Sequence, residues 1–490
     1  MLFNSYEFMF LFMPITLIVF YFLNRIRLTI AANAWLLFAS LFFYSWWDVK
    51  YLPLILGSIL FNYTIGSLLI DVDEMKRRFV SKKGILAFGI AMNILFLGYF
   101  KYMDFFISNV NMALGLDLKL LHIVLPLGIS FFTITQIAFL VDSYEGLVEE
   151  RKLLNYALFV TFFPHLLAGP ILHHKEMMPQ FDRLRNKVFN YRNFSLGLFL
   201  FFIGLFKKVA LADQFSVWAR AGFDTAPSLG LLEAWATSFC YTFQLYFDFS
   251  GYSDMAIALG LMFNIRLPVN FNSPYKATGA IDFWKRWHIT LTNFVTTYIY
   301  TPILRSFKSI TFARSMVAIF LAMFISGVWH GAGWTFIIWG SLHGAALVIN
   351  HCWKRKKLKM PRALAWFITF NFVNLSFVFF RAKDWDAAMK VFRGMFGQSG
   401  IMLPKFVGKL PFLKNLDVQF GKQWLAGIQG KDETVWYLLA AFIIVLTTKN
   451  SIQMTDSFKP GWRSLVFLIV ISIYALLNMS KVSEFLYFQF

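Results

Sequence analysis

Long apolar runs recur from one end of the chain to the other, and each is separated from the next by a short polar or basic stretch. Several runs approach the roughly 20 residues that an α-helix needs to cross the hydrocarbon core of a bilayer. The first run, Phe8–Leu23, has neither a preceding basic region nor a small-residue cleavage site, and we interpret it as a retained span rather than a signal peptide. The pattern predicts an all-α polytopic membrane protein, and a chain of 490 residues is long enough for about ten or more spans.

Two apolar stretches are interrupted in ways that a simple span does not tolerate. Tyr156–Leu172 contains Pro164 and Pro170 and has polar residues on both sides, which favours a re-entrant or interfacial segment. Asn264–His288 is likewise interrupted by proline and glycine, and we expect it near the membrane. Arg381–Glu433 is the longest polar region and is predicted to form an amphipathic extracytoplasmic segment.

The basic residues between the runs predict the orientation of the chain, because cytoplasmic loops are enriched in Lys and Arg. Arg25 and Arg27 follow the first span and a basic cluster at 75–83 follows the third, whereas only Lys50 follows the second. This alternation predicts an extracytoplasmic N-terminus. The C-terminus is predicted to lie on the same side, since only Lys481 follows the last span.

Composition supports the same class of protein. The chain is 58% hydrophobic and 20% aromatic, with 15% charged residues against roughly 25% in soluble proteins, and its mean hydropathy is +0.59. The net charge of +20 would indicate nucleic acid binding in a soluble protein. In a membrane protein it fits basic loops held against anionic lipid, so the bilayer is the expected partner and nucleic acid is not. An anionic ligand such as coenzyme A could use the same charges.

The sequence lacks the usual catalytic motifs of soluble hydrolases, nucleotide-binding proteins and zinc proteases. The two cysteines, Cys240 and Cys352, provide no disulfide framework and no metal-ligand spacing, so no metal is expected. The candidate catalytic residues are therefore the polar residues inside apolar segments. Such residues are costly to bury in a membrane and usually have a function.

One histidine stands in the middle of the apolar sequence "FISGVWHGAGWTFIIWG", residues 324–340. Only 39 residues separate the basic residues Arg314 and Lys354, which is just short of two complete crossings. His330 lies 16 residues after Arg314, or about 24 Å along a helix. His330 is therefore predicted near the apex of a helical hairpin that is still within the membrane.

Two interpretations of His330 differ in what the ring does. A lone histidine in an apolar helix is usually a core residue bonded to a carbonyl, whereas a neutral imidazole can also act as a general base. Trp329 before it and the small Gly331 after it favour the second interpretation, because glycine lets backbone or ligand approach closely. His343, in "SLHGAA", is interpreted as a structural or supporting residue.

A second histidine, His288, follows aromatic and basic residues in "DFWKRWH". This cluster is equally consistent with an aromatic-basic belt at the membrane interface and with a binding site. In the second case Lys285 and Arg286 would hold phosphates, and His288 would face the reaction centre.

Two carboxylates, Asp248 and Asp254, fall within the apolar sequence "QLYFDFSGYSDMAIALG". Gln244 and Asp248 are four residues apart and share one helix face. An unpaired carboxylate would be costly here, so we expect pairing with an Arg, a His or backbone donors. For Asp254 a buried polar clamp between helices is the favoured explanation.

The chain ends on the aromatic sequence "SEFLYFQF", whereas a disordered tail is usually polar. The tail is either an aromatic anchor at the interface or a peptide that inserts into a cavity and presents the hydroxyl of Tyr487.

These motifs together resemble those of bacterial membrane-bound O-acyltransferases of the alginate O-acetylation type. The similarity runs nearly from end to end and rests on a set of motifs in a fixed order, namely "MLFNSYEFMFLF", "LPLGISFFTITQIAFLVDSYEG", "FFPHLLAGPI", "QLYFDFSGYSDMAIALG", "FWKRWHITLTNFVTTYIYTPI", "SGVWHGAGWTFIIWGSLHG" and "FLYFQF". One departure is His165, where many relatives carry glutamine.

The resemblance implies a single membrane domain over residues 1–490, with about 11–13 membrane helices, re-entrant segments and a central tunnel. Residues 484–490 would form a C-terminal aromatic motif. The implied location is the bacterial cytoplasmic (inner) membrane. The implied reaction is acyl transfer from cytoplasmic acetyl-CoA to an acceptor on the far side, an extracytoplasmic polysaccharide such as an alginate-like exopolysaccharide or peptidoglycan. A separate periplasmic acetyltransferase of the SGNH type is the expected partner.

The resemblance also implies roles for individual residues. The invariant histidine of the family matches His330, the implied base, and the second histidine matches His288, which would hold or polarise the thioester, although these two roles are exchangeable. Lys285 and Arg286 would hold the phosphates of coenzyme A, and Tyr487 would receive the acyl group. D-alanyl transfer to a cell-wall polymer is the alternative chemistry, and a polysaccharide exporter is the alternative without catalysis.

Overall fold

The computed structural model describes residues 1–75, 81–148, 151–409, 418–479 and 486, and it is predominantly helical. Within these ranges six helical segments are long and apolar enough to cross a membrane: Phe8–Arg25, Val49–Asp71, Lys82–Leu114, Tyr191–Thr225, Phe312–His330 and Arg362–Arg381. Further apolar helices are shorter, at Thr29–Ser45, Ile129–Tyr144 and Trp462–Asn478. The prediction of an all-α polytopic membrane protein is confirmed.

The chain divides into two compact units. The first unit comprises Met1–Leu205, Tyr252–Val269 and Phe458–Ser472. Its helices are α1 (Met13–Arg25), α2 (Thr29–Ser45), α3 (Leu52–Met75), α4 (Lys82–Leu114), α5 (Ile129–Tyr144), α6 (Leu153–Thr161), α7 (Phe163–Leu166), α8 (His174–Asp182) and α9 (Tyr191–Phe206).

The second unit comprises Phe206–Gly251, Asn270–Ser457 and Ile473–Phe490. Its helices are α10 (Asp213–Arg220), α11 (Leu231–Met262), α12 (Ala280–Trp284), α13 (Ile289–Val295), α14 (Thr301–Ser306), α15 (Phe312–His330), α16 (Trp334–Arg355), α17 (Arg362–Arg381), α18 (Trp385–Met395), α19 (Asp432–Thr447), α20 (Ser451–Asp456) and α21 (Trp462–Asn478). Helices α11 and α21 each run from one unit into the other. A parallel pair of short strands, β1 (Met402–Pro404) and β2 (Gln419–Gly421), follows α18.

Pro164 explains why the apolar segment Tyr156–Leu172 of the first unit is interrupted. Helix α6 ends at Thr161, and the four-residue α7 restarts with Pro164 inside its first turn, where the missing N–H of proline is tolerated. Ser40 Oγ accepts the hydrogen bond of the Phe163 N–H (3.1 Å), so the broken backbone is satisfied inside protein. The buried His165 ring donates from Nε2 to the carbonyl of Phe159 (2.9 Å). A glutamine amide could make the same donation.

The described residues of the predicted polar segment 381–433 include the helix α18. It begins behind Asp384, whose side chain accepts the N–H of Ala387 (2.8 Å). Ala388, Val391 and Met395 lie buried on one face of this helix, which makes it amphipathic. Residues 410–417 of the segment lie outside the described part of the chain.

Helices α15 and α16 form a hairpin around the sequence "HGAGW". Helix α15 begins after Thr311, whose Oγ1 accepts the N–H of Arg314 (3.3 Å), and it ends at His330. Gly331 and Gly333 are extended (φ −162° and −170°), so the chain leaves one helix and enters the next through glycines. His330 therefore stands at the end of the first helix of the hairpin, as the spacing of basic residues predicts.

Two glycines set the distance between the helices of this hairpin. A Cβ on Gly340 would lie 2.6 Å from the carbonyl oxygen of Met323 and 2.8 Å from the Cα of Gly327. A Cβ on Gly327 would likewise meet the backbone of Gly340. Backbone atoms cannot move aside as side chains can, so small residues are required here, as at other close helix contacts in membranes.

We expect Gly340→Ala to destabilise the protein by about 1–3 kcal/mol, because one added methyl group forces α15 and α16 apart. The midpoint of thermal unfolding in detergent measures the effect. Gly57→Ala in α3 is the matched control: that glycine is exposed and a Cβ on it meets nothing within 4 Å. The control should change stability by less than about 1 kcal/mol. Equal midpoints for the two variants would contradict the close contact.

Candidate active site

The ring of His330 lies in a box of aromatic side chains at the C-terminal end of α15. Its centroid is 4.9 Å from that of Trp329, 5.0 Å from that of Trp339 and 5.2 Å from that of Phe380. His330 itself is buried, with 6% of its surface exposed. The C-terminal end of a helix favours positive charge, which would offset part of the cost of burying an imidazolium once the ring accepts a proton.

His288 is held in one tautomer by a neighbouring amide. Its Nδ1 lies 3.1 Å from Oδ1 of Asn270, and the same oxygen accepts from the N–H (3.3 Å) and the hydroxyl (3.0 Å) of Thr290. An amide oxygen can only accept, so Nδ1 carries the proton and Nε2 is the acceptor atom of the neutral ring. Burial lowers the pKa of His288, which lies outside the spanning helices, to about 3, and the ring is neutral.

His288 also stands at a strained point of the backbone. It precedes α13 with φ 44°, in the left-handed region that non-glycine residues rarely adopt. Such strain persists only where the surroundings fix it, and it collects at functional sites. Here the fixing contacts are the Asn270 bonds and the packed ring of Phe249, 4.8 Å away between centroids.

His343 has both ring nitrogens occupied. Trp284 donates its indole N–H to Nδ1 (3.2 Å), and Nε2 donates to the hydroxyl of Ser376 (2.9 Å), which itself donates to the carbonyl of Val373 (2.7 Å). With both nitrogens engaged and 1% of its surface exposed, His343 holds Trp284 in place and has little left to offer a substrate.

One aromatic cluster links the surroundings of the two candidate catalytic histidines. Trp339 contacts His330 and also lies 5.9 Å from Trp284 between centroids. Trp284 lies four residues before His288, at the end of α12. The structure thus brings the two histidine motifs of the sequence into one region of the second unit.

An apolar cavity of about 310 Å³ opens beside this cluster. Its lining includes Trp284 and Lys285 from one motif and Ser326 from the last turns of α15, with Thr292 and His351 among the polar groups. Lys285 is exposed, whereas Arg286 donates to Asp282 Oδ1 (2.8 Å) and so has its charge partly compensated. Of the two predicted phosphate ligands, Lys285 is thus better placed for this cavity.

A second cavity in this unit is polar and has a volume of about 670 Å³. Its lining includes Ala332 and Gly333, which follow His330, together with Gln244 of α11 and Leu486 of the tail. His330 thus lies four residues after a residue that lines the apolar cavity and two residues before one that lines the polar cavity.

Charged residues give the polar cavity a cationic excess. Lys208, Arg220, Arg381 and Lys383 line it, against Asp213 and Asp224. Arg381 binds Asp224 through both guanidinium nitrogens (3.2 and 2.5 Å), the geometry of a strong charge-assisted pair.

Asp248 belongs to a buried ion cluster that also binds the tail. Its Oδ1 lies 2.7 Å from Lys208 Nζ, which is 2.8 Å from Asp213 Oδ1. Its Oδ2 accepts the backbone N–H of Leu486 (3.0 Å). The predicted pairing of Asp248 with a backbone donor is observed, but the cationic partner is a lysine rather than an arginine or histidine. Tyr487, the next residue of the tail, lies outside the described residues.

The remaining predicted site residues lie at separate places. Asp254 is buried on α11 but belongs to the first unit, whereas Asp248 belongs to the second. Gly331 is packed against the ring of Phe336, where a Cβ would collide. Trp329 is half-buried beside His330.

Sequence reasoning missed two sets of residues. Asn270 and Thr290 orient His288, but nothing in their spacing marks them as its partners. Lys208 and Asp213 could have been found, because a lysine inside the apolar run "GLFLFFIGLFKKVALAD" needs a counter-charge, and an aspartate follows five residues later.

Similarity to known proteins identifies the family of the chain. The model of the membrane-bound O-acyltransferase family (MBOAT) matches residues 77–383, a range that includes both histidine motifs. A peptidoglycan O-acetyltransferase of Helicobacter pylori is 43% identical, with 100% of this chain and 98% of that protein covered. The probable alginate O-acetylase AlgI of Pseudomonas putida is 35% identical, with both chains covered completely.

A more distant similarity is to the teichoic acid D-alanyltransferase of Streptococcus thermophilus, which is 29% identical over 52% of this chain and 68% of that protein. The family model matches more than half of the chain, and two relatives named for O-acetyl transfer are similar from end to end. The apolar helices of the structure fit a membrane-bound family. The chain therefore belongs to the membrane-bound O-acyltransferase family and is a multi-pass membrane enzyme that transfers acyl groups.

Proposed function

We propose that this enzyme moves an acetyl group from cytoplasmic acetyl-CoA to the far side of the bacterial inner membrane, for O-acetylation of a cell-envelope polysaccharide. The observation that carries the proposal is the position of His330, between a residue lining an apolar cavity and residues lining a polar, cationic one. In the proposed reaction, the acceptor would reach this base from the side of one cavity and the thioester from the side of the other.

Peptidoglycan is the proposed polymer, because the relative with 43% identity is named for it. An alginate-like exopolysaccharide is the alternative, supported by the relative at 35%. D-alanyl transfer has weaker support, since the D-alanyltransferase matches only half of the chain. Membership in an acyltransferase family argues against a non-catalytic exporter.

The apolar cavity suits the thioester arm of the donor. A pantetheine chain is narrow and largely uncharged, so it fits a cavity walled by Trp284 and aliphatic residues. The ammonium of Lys285 at the same cavity would hold a phosphate of coenzyme A, with Arg286 in a lesser role because Asp282 already engages it.

In the proposed reaction an acceptor hydroxyl gives its proton to His330 while its oxygen bonds to the thioester carbon. The carbon–sulfur bond then breaks, and His330 returns the proton to the departing thiolate. The C-terminal end of α15 would favour the intermediate imidazolium. The neutral ring of His288, with the proton on Nδ1, can accept but not donate at Nε2, which suits orienting the acceptor hydroxyl better than polarising a carbonyl. Because the neutral Nε2 of His288 accepts a proton, His288 could also serve as the base in place of His330.

Tyr487 is the proposed first acceptor. Support comes from its neighbour Leu486, which is bound to Asp248 and lines the same cavity as Ala332 and Gly333. The acetyl ester on Tyr487 would then pass to a periplasmic transferase of the SGNH type, which would choose the polymer hydroxyl. The predicted extracytoplasmic C-terminus fits this sequence of events.

Replacing His330 by glutamine should lower the rate of acetyl transfer by about 10²–10⁴-fold, because the base is lost. The release of thiol from acetyl-CoA by proteoliposomes containing equal amounts of protein measures the rate. His165→Gln is the matched control, since it makes the same chemical change at a buried histidine whose carbonyl bond an amide can replace. Equal rates in the two variants would rule out His330 as the base.

Replacing Tyr487 by phenylalanine removes one oxygen and keeps the ring, so polymer acetylation should fall to background. Mass spectrometry of the C-terminal peptide should find one added acetyl group in the wild type after incubation with acetyl-CoA. The His330→Gln variant should lack this group. Full polymer acetylation by Tyr487→Phe would show that the tail is an anchor only.

Asp248→Leu should free the tail, because it removes the acceptor of the Leu486 N–H, whereas Asp248→Asn keeps an acceptor oxygen. Carboxypeptidase should trim the C-terminus of Asp248→Leu at least about tenfold faster than that of wild type, as expected when a buried hydrogen bond of about 1.5–3 kcal/mol to a charged group is lost. Asp386→Leu, at an exposed carboxylate of α18, is the control and should match wild type. Equal trimming of all variants would refute the docking.

A further inference from the structure

Three potential metal ligands meet in the first unit, in a place that the proposed reaction does not use. Asp142 lies in the last turn of α5, His173 directly precedes α8, and His174 is the first residue of that helix. Asp142 Oδ2 is 3.0 Å from Nε2 of His173 and 2.9 Å from Nε2 of His174. All three ligand atoms lie within 4.8 Å of one another.

The burial of this group favours a cation. Asp142 and His174 expose 2% and 5% of their surfaces, while the side chain of His173 is 32% exposed. A buried carboxylate is costly unless a positive charge lies next to it. The Nε2 atom of His174 has no hydrogen-bond partner among the described residues although it lies 2.9 Å from the carboxylate. The ring is therefore close to Asp142 without the orientation of a hydrogen bond, as happens when two ligands face a common centre.

We propose that Asp142, His173 and His174 bind one divalent transition-metal ion of the zinc type. Two imidazole nitrogens and one carboxylate oxygen are ligands that Zn²⁺ accepts, at about 2.0–2.2 Å each. Each histidine nitrogen lies about 3 Å from the carboxylate oxygen and would need to move away from it by only a few tenths of an ångström for a tetrahedral ion at these bond lengths. The partial exposure of the His173 side chain would let the ion reach the site, and a water would be the fourth ligand.

The ion would act as a clamp on the fold. Asp142 and His173 flank the interrupted segment of α6 and α7, so the metal would close a loop around the buried, proline-broken stretch. Closing a loop removes conformational freedom from the unfolded chain, and a metal that binds only the folded state adds its binding free energy to stability. The expectation of a metal-free protein rested on spacing along the sequence, whereas these ligands come from two places brought together by the fold.

The test uses the full chain, purified in detergent through an affinity tag that contains no histidine. Elemental analysis should find about one equivalent of zinc or a related metal per chain. After removal of the metal by a chelator, the midpoint of thermal unfolding should fall, and added Co²⁺ should restore it and give a visible absorption spectrum typical of nitrogen and oxygen ligands. These measurements need no variant.

Two variants identify the ligands. Asp142→Asn and the double variant His173→Gln/His174→Gln should bind Co²⁺ at least about tenfold more weakly, and their unfolding midpoints should not respond to chelator. His122→Gln, which removes an exposed histidine, is the control and should bind like wild type. A wild type that is isolated without metal and takes up no Co²⁺ would overturn the proposal, as would equal uptake by the double variant, since the three residues would then form a hydrogen-bonded cluster only.

Discussion

The backbone contact between Gly327 and Gly340 is the constraint on which the candidate active site depends. Because neither residue has a side chain, α15 and α16 approach until their backbones touch, and the turn between them shrinks to three residues. His330 thereby becomes the last residue of a helix whose C-terminal dipole favours positive charge. A wider hairpin would still contain the histidine, but it would separate His330 from Trp339, which stands on the other helix.

Several polar groups in the second unit are paired with a specific partner. Asp248 is compensated by Lys208, Asp224 by Arg381, and the ring of His288 by Asn270. In a low-dielectric setting an uncompensated group would be expensive, so these pairs are also rigid. Rigidity is useful at such a site, because the tautomer and direction of the His288 ring are fixed before any substrate arrives.

Sequence patterns predicted the helical class, the interruption near Pro164 and the location of His330 at the end of a hairpin helix. Each of these follows from local features: the length of apolar runs, the chemistry of proline and the spacing of basic residues. The partners of the candidate residues could not be predicted in this way. Asn270 meets His288 through a left-handed backbone turn, and Lys208 meets Asp248 from a helix 40 residues earlier in the chain. Such contacts depend on the rotation of each helix about its axis, which hydrophobicity alone does not determine when a helix is apolar all round.

The wide turn at Lys207–Ala212, between α9 and α10, is π-helical and therefore holds one more residue than an α-helical turn. The extra residue shifts the angular register of everything after it, so α10 presents a different face from the one that an uninterrupted helix would present. Lys208, within this turn, points its ammonium at two carboxylates in a segment that is long and apolar enough to cross a membrane. An inserted residue of this kind is a way to acquire a charged group within a membrane helix without redesigning its lipid-facing surface.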